Sequence, residues 1–298
     1  MLLVCSMLLS LGTAAYAAAY TVDDPTGWNT ALGDTDTDIA ITLNGDINVG
    51  WIDIDAEKKV TINGSGTLTC EGVDVYGILI LKENVSIISE ECVTVDGGGT
   101  FSMEGGSVTV TDDYYAVEIA SEGFFKLSGG TIRGNVSGVC VGGSGQGGFD
   151  IAAGAFEMSG GTVIGSTENG VENKGAFTMT SGSIEAAKVG VSNEDNGSFT
   201  MTGGSVAGGT QGLTGSNLNL SPDANIYDGQ STVPPAPVNP PAPNNPAPVP
   251  PAAPAAPVVE DIYYIPATDD NSNMALWSIL ALALLSTAFV TRKRKNEN

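Results

Sequence analysis

Three aspartates at alternating positions are the residues in this chain whose spacing is most typical of metal chemistry. Asp34, Asp36 and Asp38 offer three carboxylates within one short segment, and carboxylate oxygens are the ligands that calcium prefers. A calcium-binding loop with this spacing also needs glycine at its sixth position and glutamate at its twelfth. In this segment those positions are occupied by Ile39 and Gly45. The pattern therefore favours a solvated turn, with a calcium site as the alternative. We expect no bound cofactor.

The composition excludes several other chemistries. The chain has 298 residues, of which 11 are basic and 34 acidic, and it contains no histidine. Catalysis by a Ser-His-Asp or Cys-His group is therefore excluded, as is a histidine metal ligand. The net charge of −23 argues against a nucleic-acid partner, because phosphate binding depends on clustered Lys and Arg.

Three cysteines lie in the central part of the chain. Cys92 follows Cys70 by 22 residues, so the two thiols are predicted either to pair on adjacent repeats or to lie buried side by side. Cys140 alternates with Val139 and Val141, and it is therefore predicted to point outward.

The aromatic residues bear on sugar binding, which uses exposed rings. Tyr114 and Tyr115 are adjacent near a predicted corner, so one of them must face outward, and this pair is the predicted binding candidate. Trp28 and Trp51 precede the clear repeats, and we expect both to cap the open N-terminal end of the core.

An internal repeat indicates the elements that position these residues. Each copy contains an aromatic residue, a Met or Leu two positions later, a glycine-containing corner and a Val or Ile. Five copies align without gaps, at residues 99–108, 123–132, 154–163, 175–184 and 197–206, with weaker copies at 66–70, 85–87 and 218–220. The alternation predicts short strands, and the glycine pairs predict sharp bends with positive φ. A second short strand recurs in each unit, as in 116–119 and 138–141.

Units of about 22 residues cannot bury an apolar face alone, whereas stacked units can. The sequence therefore predicts an all-β fold, a parallel β-helix of about eight coils over residues 39–220. Five phenylalanines should stack inside it, with a column of Met and Leu alongside: Phe101, Phe125, Phe156, Phe177 and Phe199, then Met103, Leu127, Met158, Met179 and Met201. A β-sandwich is the alternative, which the fixed period disfavours. An insertion at 141–148 is predicted to form a loop on one face.

The repeat resembles the right-handed parallel β-helix repeats of bacterial surface proteins, which include adhesins, polysaccharide-binding proteins and polysaccharide-cleaving enzymes. The resemblance to β-helical pectate lyases implies acidic calcium ligands and an Arg or Lys base. Arg133 would be that base, and the acids would come from neighbouring coils: Asp112, Asp113, Glu157 and Glu168. Their spacing forms no clear constellation, so Arg133 is expected to be a surface charge, with the catalytic base as the alternative. The β-helical polygalacturonases require a Gly-His-Gly that this chain lacks.

Both ends of the chain are predicted to lie outside the folded domain of residues 20–230. Residues 1–19 resemble a secretory signal peptide, with small-x-small cleavage sites ending at Ala17 and Ala19. Residues 231–264 are proline-rich and predict a disordered stalk of polyproline II character. Residues 274–291 carry no charge and predict a single transmembrane helix, and the basic tail 292–298 marks its cytoplasmic side.

The segment 265–273 resembles the sorting signal of Gram-positive surface proteins, which has the pattern L-P-x-T-G. Pro266 and Thr268 match the proline and threonine of that family, whereas Asp269 stands where the family has glycine. The resemblance implies cleavage by a sortase and attachment to peptidoglycan, and a retained membrane anchor is the alternative.

The sequence thus predicts an adhesin or glycan-binding module on the cell surface, without catalysis, whose partner is an extracellular glycan or another surface ligand. The N-terminal domain would lie outside the cell and the C-terminus in the cytoplasm. A polysaccharide lyase or hydrolase is the first alternative, and a passive structural spacer is the second.

Overall fold

The computed structural model describes residues 17–112, 115–120, 122–142, 154–194 and 196–229. These residues form a parallel β-solenoid of about nine turns, here called coils. The stalk, the predicted transmembrane segment and the insertion around 143–153 lie outside the described residues.

Each complete coil contributes one strand to each of three parallel sheets. The first sheet contains β1 (Ala18–Val22), β2 (Asp38–Asn44), the start of β5 (Lys59–Cys70), β7 (Ile78–Leu81), β10 (Thr100–Met103), β13 (Phe124–Leu127), β16 (Ala155–Met158), β19 (Ala176–Met179), β22 (Ser198–Met201) and β25 (Leu218–Leu220). The second contains β3 (Ile47–Asn48), the end of β5, β8 (Val85–Ser89), β11 (Ser107–Val110), β14 (Thr131–Gly134), β17 (Thr162–Gly165), β20 (Ser183–Ala186), β23 (Ser205–Gly208) and β26 (Asn225–Asp228).

The third sheet contains the second short strand that the repeat predicted. Its members are β4 (Ile52–Ile54), β6 (Val73–Val75), β9 (Val93–Val95), β12 (Val117–Ile119), β15 (Val139–Val141), β18 (Val171–Asn173), β21 (Val189–Asn193) and β24 (Gln211–Gly215). Their apolar residues point into the core, and the residue between them points outward. The outward residues of successive strands therefore form a column, which continues from Glu172 to Ser192 and Thr214 in the last coils.

The predicted phenylalanine ladder is confirmed. Phe101, Phe125, Phe156, Phe177 and Phe199 are directly paired in the first sheet and almost fully buried. Successive ring centroids lie 4.6–5.0 Å apart with interplanar angles of 7–22°, which is a stacked geometry that adds to the burial of the rings. The Met and Leu column beside it is also buried.

The corners follow from the glycine pairs. The second glycine of the pair has φ +72° at Gly106, +86° at Gly130 and +93° at Gly204. A Cβ at Gly204 would also lie 2.8 Å from the carbonyl oxygen of Gly182 in the preceding coil. Glycine is therefore required at this corner both for its backbone conformation and for the close approach of two coils.

The weaker repeats occupy different positions from those predicted. Residues 66–70 and 85–87 lie in the second sheet, where Leu68 pairs with Ile87, and not in the phenylalanine column. The early coils instead continue that column with aliphatic residues, since Leu79 pairs with Phe101 and Val60 with Leu79. The copy at 218–220 does extend the first sheet, as predicted. The solenoid begins at Ala18, which accounts for its having more coils than the predicted eight.

The N-terminal end is covered by a short helix, α1 (Pro25–Leu32), which the pattern of the sequence did not predict. Asp24 caps it by accepting a hydrogen bond from the backbone N–H of Gly27 at 2.7 Å, and Pro25 occupies its first turn. Trp28 and Ala31 are buried on its inner side. The capping role predicted for Trp28 therefore agrees with its position, whereas Trp51 lies on the outer surface.

Candidate functional site

The aspartates of the candidate calcium loop have other partners in the structure. Asp34 accepts hydrogen bonds from the Tyr20 hydroxyl and from the backbone N–H of Asp36. Asp38 forms an ion pair with Lys59, with 2.8 Å between Nζ and Oδ2. Within the described part of the chain, no group of three or more Asp, Glu, Cys or His side chains is arranged to hold a metal ion.

The residues of the lyase hypothesis are distributed over different parts of the coil. Arg133 lies in β14 of the second sheet, and its Nη1 donates to Oγ of Ser166 at 3.4 Å. Glu157 lies in the first sheet beside Lys126, while Glu168 forms an ion pair with Lys188. Asp112 follows β11 of the second sheet, and Asp113 lies outside the described residues. Glu157 and Glu168, two of the candidate calcium ligands, thus each lie beside a lysine.

Tyr115 does not present a free ring. It is half-buried, and its hydroxyl donates to Oε2 of Glu172 at 2.8 Å. Glu172 also accepts hydrogen bonds from Ser137 and Asn169, both at 3.0 Å. Burial above all, with the nearby Cys140 and Glu172, raises the pKa of the Tyr115 hydroxyl. Tyr115 therefore belongs to a closed polar cluster, and Tyr114 lies outside the described residues.

Cys140 lies in the outward column of the third sheet between Glu118 and Glu172, as its alternation predicted, yet it is fully buried. Burial above all, with the nearby carboxylates of Glu118 and Glu172, raises the pKa of the Cys140 thiol to about 12. Cys140 therefore occupies an outward position on the strand without being exposed, because other side chains cover it.

The other two cysteines are also free thiols. Cys70 is part of the core at the end of β5, whereas Cys92 contacts the Thr94 hydroxyl at 3.5 Å and Glu118 on the outer surface. Because the two side chains point to opposite sides of the wall, the alternative of a Cys70–Cys92 disulfide is not realised.

The most prominent exposed aromatic residues of the third sheet are Trp51 and Tyr76. Trp51 immediately precedes β4 and Tyr76 immediately follows β6, and each has 43% of its surface exposed. We call these two rings, together with the outward carboxylates Asp53 and Asp74, the aromatic face. It spans two adjacent coils because β4 pairs with β6.

Trp51 is held in place by two features of the next coil. Its indole Nε1 donates to Oδ2 of Asp74 at 2.9 Å. Its ring lies over Gly72, where an added Cβ would come within 2.6 Å of the indole. The absent side chain at Gly72 thus makes room for the ring, and Asp74 fixes its orientation, so the exposed indole is preorganised.

Tyr76 lies in a negative environment. Its backbone N–H donates to the carbonyl of Ile54 at 2.9 Å, which places it beside the end of β4. The carboxylate of Asp74 above all, with burial and the carboxylates of Asp96 and Asp53, raises the pKa of the Tyr76 hydroxyl. The phenol is therefore a neutral hydrogen-bonding group next to several carboxylates.

Cationic side chains are absent from this sheet. None of the described third-sheet strands contains Lys or Arg, whereas their outward column includes Asp53, Asp74, Glu118 and Glu172. Two lysines outside these strands form ion pairs of their own, Lys82 with Glu104 and Lys174 with Glu194.

The aromatic face was missed by sequence reasoning because Trp51 was predicted to be a core cap. A signal for it is present. Trp51 flanks Ile52-Asp53-Ile54 and Tyr76 flanks Val73-Asp74-Val75, so each aromatic residue adjoins a strand with one outward aspartate. Only the strand register shows that the two motifs lie on adjacent coils.

No family model, curated protein or solved structure matches this chain. None of the helices in the described part of the chain is long and apolar enough to cross a membrane, and residues 274–291 lie outside that part.

Proposed function

We propose that this chain is an exported, surface-anchored right-handed β-helix protein that binds glycans without catalysing their cleavage. The observation that carries the proposal is the pair of exposed rings, Trp51 and Tyr76, held on adjacent coils of the third sheet. The binding candidate thereby moves from the predicted pair Tyr114 and Tyr115 to the aromatic face.

The chemistry of the aromatic face suits a sugar polymer. Aromatic rings provide an apolar surface for the C–H faces of sugar rings, and nearby polar groups provide orientation. Asp53 and Asp74 lie between the two aromatic residues in the strand register, where their oxygens can accept hydrogen bonds from sugar hydroxyls. An open sheet surface also accommodates an extended ligand without a closed pocket.

Export and anchoring are argued from the ends of the chain. The strand β1 begins at Ala18 and pairs with β2 from Ala18 onward, which supports signal-peptide cleavage after Ala17, because this leaves β1 intact. The motif of Pro266, Thr268 and Asp269 supports sortase attachment to peptidoglycan, while residues 274–291 support a retained membrane anchor. Mass spectrometry of wall-digest fragments distinguishes the two: a mature chain that ends at Thr268 indicates sortase cleavage, and one that retains 274–291 excludes it.

The binding proposal is tested with the full-length protein in detergent on a polysaccharide array, followed by titration calorimetry of the ligands that bind. We expect Trp51→Ala and Tyr76→Ala each to weaken binding about tenfold or more, which corresponds to ~1.4 kcal/mol. Tyr227→Ala is the matched control, because Tyr227 is equally exposed (43%) but lies in β26 of the second sheet. It should leave the affinity unchanged.

The same screen decides between the alternatives. Binding that is insensitive to both substitutions would contradict the assignment to the aromatic face. Release of unsaturated sugar products would favour a lyase. An absence of both binding and cleavage would favour a structural spacer.

A further inference from the structure

The glycan class that the aromatic face selects is determined by its charge, and this inference rests on the function proposed above. Asp53 and Asp74 are directly paired in the parallel ladder of the third sheet. Their Cα atoms are therefore separated by one coil, about 4.8 Å. The surface beside Trp51 and Tyr76 thus carries one carboxylate per coil on two successive coils.

Nearby lysines do not neutralise these carboxylates. Lys58 is the cationic residue closest to Asp53 in the sequence, and its Nζ donates to the backbone carbonyls of Leu32 and Asp34 near α1. Lys59 pairs with Asp38 in the first sheet, and Lys82 pairs with Glu104. The rise in the pKa of Tyr76, caused first by Asp74, is consistent with a negative potential at this ring.

A negative surface of this kind repels polyanions and attracts cations. Aromatic rings add to the attraction, since an ammonium group is stabilised over the face of Trp or Tyr. Uronic-acid polymers, which are the substrates of the lyase alternative, would therefore be disfavoured as ligands of this face.

We propose that the ligand of the aromatic face is a glycan that carries free amino groups, such as a polymer of glucosamine. Its sugar rings would lie on Trp51 and Tyr76, and its ammonium groups would pair with Asp53 and Asp74. Asp53 and Asp74 lie between the two rings in the strand register, so a ligand segment that contacts both rings passes over both carboxylates.

A cationic peptide would be attracted to the same two carboxylates. The exposed rings of Trp51 and Tyr76 favour the amino glycan, because they offer flat apolar surfaces to sugar rings.

The test compares ligands that differ in charge on the same full-length protein in detergent. Calorimetry is carried out at low ionic strength with four probes: glucosamine hexamer, N-acetylglucosamine hexamer, galacturonic acid hexamer and oligolysine. We expect the glucosamine hexamer to bind at least tenfold more tightly than its acetylated form, and the galacturonic acid hexamer not to bind. The preference should diminish with added salt.

The double variant Asp53→Asn, Asp74→Asn removes both charges. The amide oxygen at position 74 can still accept the hydrogen bond from the indole Nε1 of Trp51. This double variant should bring the affinities of the glucosamine and N-acetylglucosamine hexamers to within about twofold of each other. Glu185→Gln with Asp223→Asn removes the same charge from β20 of the second sheet and from an exposed turn, and it should retain the preference. Equal losses in the two double variants would show non-specific attraction to an acidic protein and would overturn the inference.

The remaining outcomes separate this inference from the proposed function. The inference would be overturned if the amino and acetylated hexamers bound equally, or if the galacturonic acid hexamer bound. If that binding were weakened by Trp51→Ala, the proposal of glycan binding at the aromatic face would remain intact. Oligolysine binding that depends on Asp53 and Asp74, without glucosamine binding, would instead indicate a peptide partner. Failure of every sugar probe and of the array would overturn both.

Discussion

The buried side chain of Asn173 donates a hydrogen bond from Nδ2 to Oδ1 of Asn193, which is one coil further along, at a distance of 2.5 Å. Asn193 in turn donates to the backbone carbonyls of Gly197 and Ser216. Two stacked amides therefore close the corner between the third and first sheets, and each donates to backbone carbonyls there.

Replacement of Asn193 by Ala should destabilise the solenoid by about 2–4 kcal/mol, because it removes the donor to two carbonyls and the acceptor for Asn173. Chemical denaturation followed by circular dichroism measures this loss. Ser192→Ala, at the adjacent outward position of β21, is the control and should change the free energy of unfolding by less than about 0.5 kcal/mol. Equal effects of the two substitutions would contradict a structural role for the amide pair.

Phe156→Ala should be among the most destabilising core substitutions. Phe156 is stacked between Phe125 and Phe177, at 5.0 and 4.6 Å, so its loss opens a cavity at the centre of the ladder. We expect a cost of about 3–5 kcal/mol in the free energy of unfolding, and a smaller one for Phe156→Leu. Glu157→Ala, on the opposite side of the same strand, should be nearly neutral. A cost below about 1 kcal/mol for Phe156→Ala would show that the rings are not packed as described.

The phenylalanine ladder could be predicted because the five copies that contain it align without gaps, although an insertion lengthens one interval between them, and because a stacked coil places equivalent residues in one column. The earlier coils could not be aligned in the same way. Their inward residues are Val, Ile and Leu at all three sheets, as in Val60, Leu68 and Val73, so apolar alternation alone does not distinguish one sheet from the next. The one-strand displacement of residues 66–70 and 85–87 follows from this ambiguity.

The aromatic face depends on pairing across coils, which the sequence does not display. Trp51 and Asp74 are 23 residues apart, and they meet because β4 and β6 pair in register. The burial of Cys140 was likewise outside the reach of alternation, which predicts the side of a strand on which a residue lies but not whether another side chain covers it. Helix α1 is only eight residues long, too short to show a clear helical period.

Stability should fall at alkaline pH in a manner that depends on Cys140. Because burial raises the pKa of this thiol to about 12 from its usual value of 9.0, the folded chain retains a proton that the unfolded chain releases. The stabilisation that comes from the protonated Cys140 thiol is complete below about pH 9 and is lost as the pH rises towards 12. Over that range the free energy of unfolding falls by up to about 1.4 kcal/mol per pH unit.

The dependence of the free energy of unfolding on pH is measured by denaturant unfolding between pH 8 and pH 10.5. Cys140→Ala should give a shallower slope than the wild type, while the contributions of Cys70, Cys92 and Tyr115 remain in both proteins. Identical slopes would show that the Cys140 thiol titrates normally in the folded state.

Thiol labelling should distinguish the three cysteines of the solenoid. Cys92 is partly exposed, whereas Cys70 and Cys140 are buried. In a Cys5→Ser background at neutral pH, we expect one thiol to react rapidly with a disulfide reagent and the other two to react only on unfolding. Cys92→Ser should abolish the rapid phase. Rapid labelling of Cys70 in that variant would mean that the end of β5 does not face the core.

The two ends of the solenoid differ, since α1 covers the first coil while Leu218 and Leu220 in the last coil are substantially exposed. This asymmetry has a mechanical consequence. A pulling force applied from the C-terminal side enters the described fold at residue 229, beside β26, and in a solenoid each coil is held only by its neighbours. Under load, coils would detach one at a time from the C-terminal end. Trp51 and Tyr76 lie near the opposite end, so the coils that carry the aromatic face would be the last to yield.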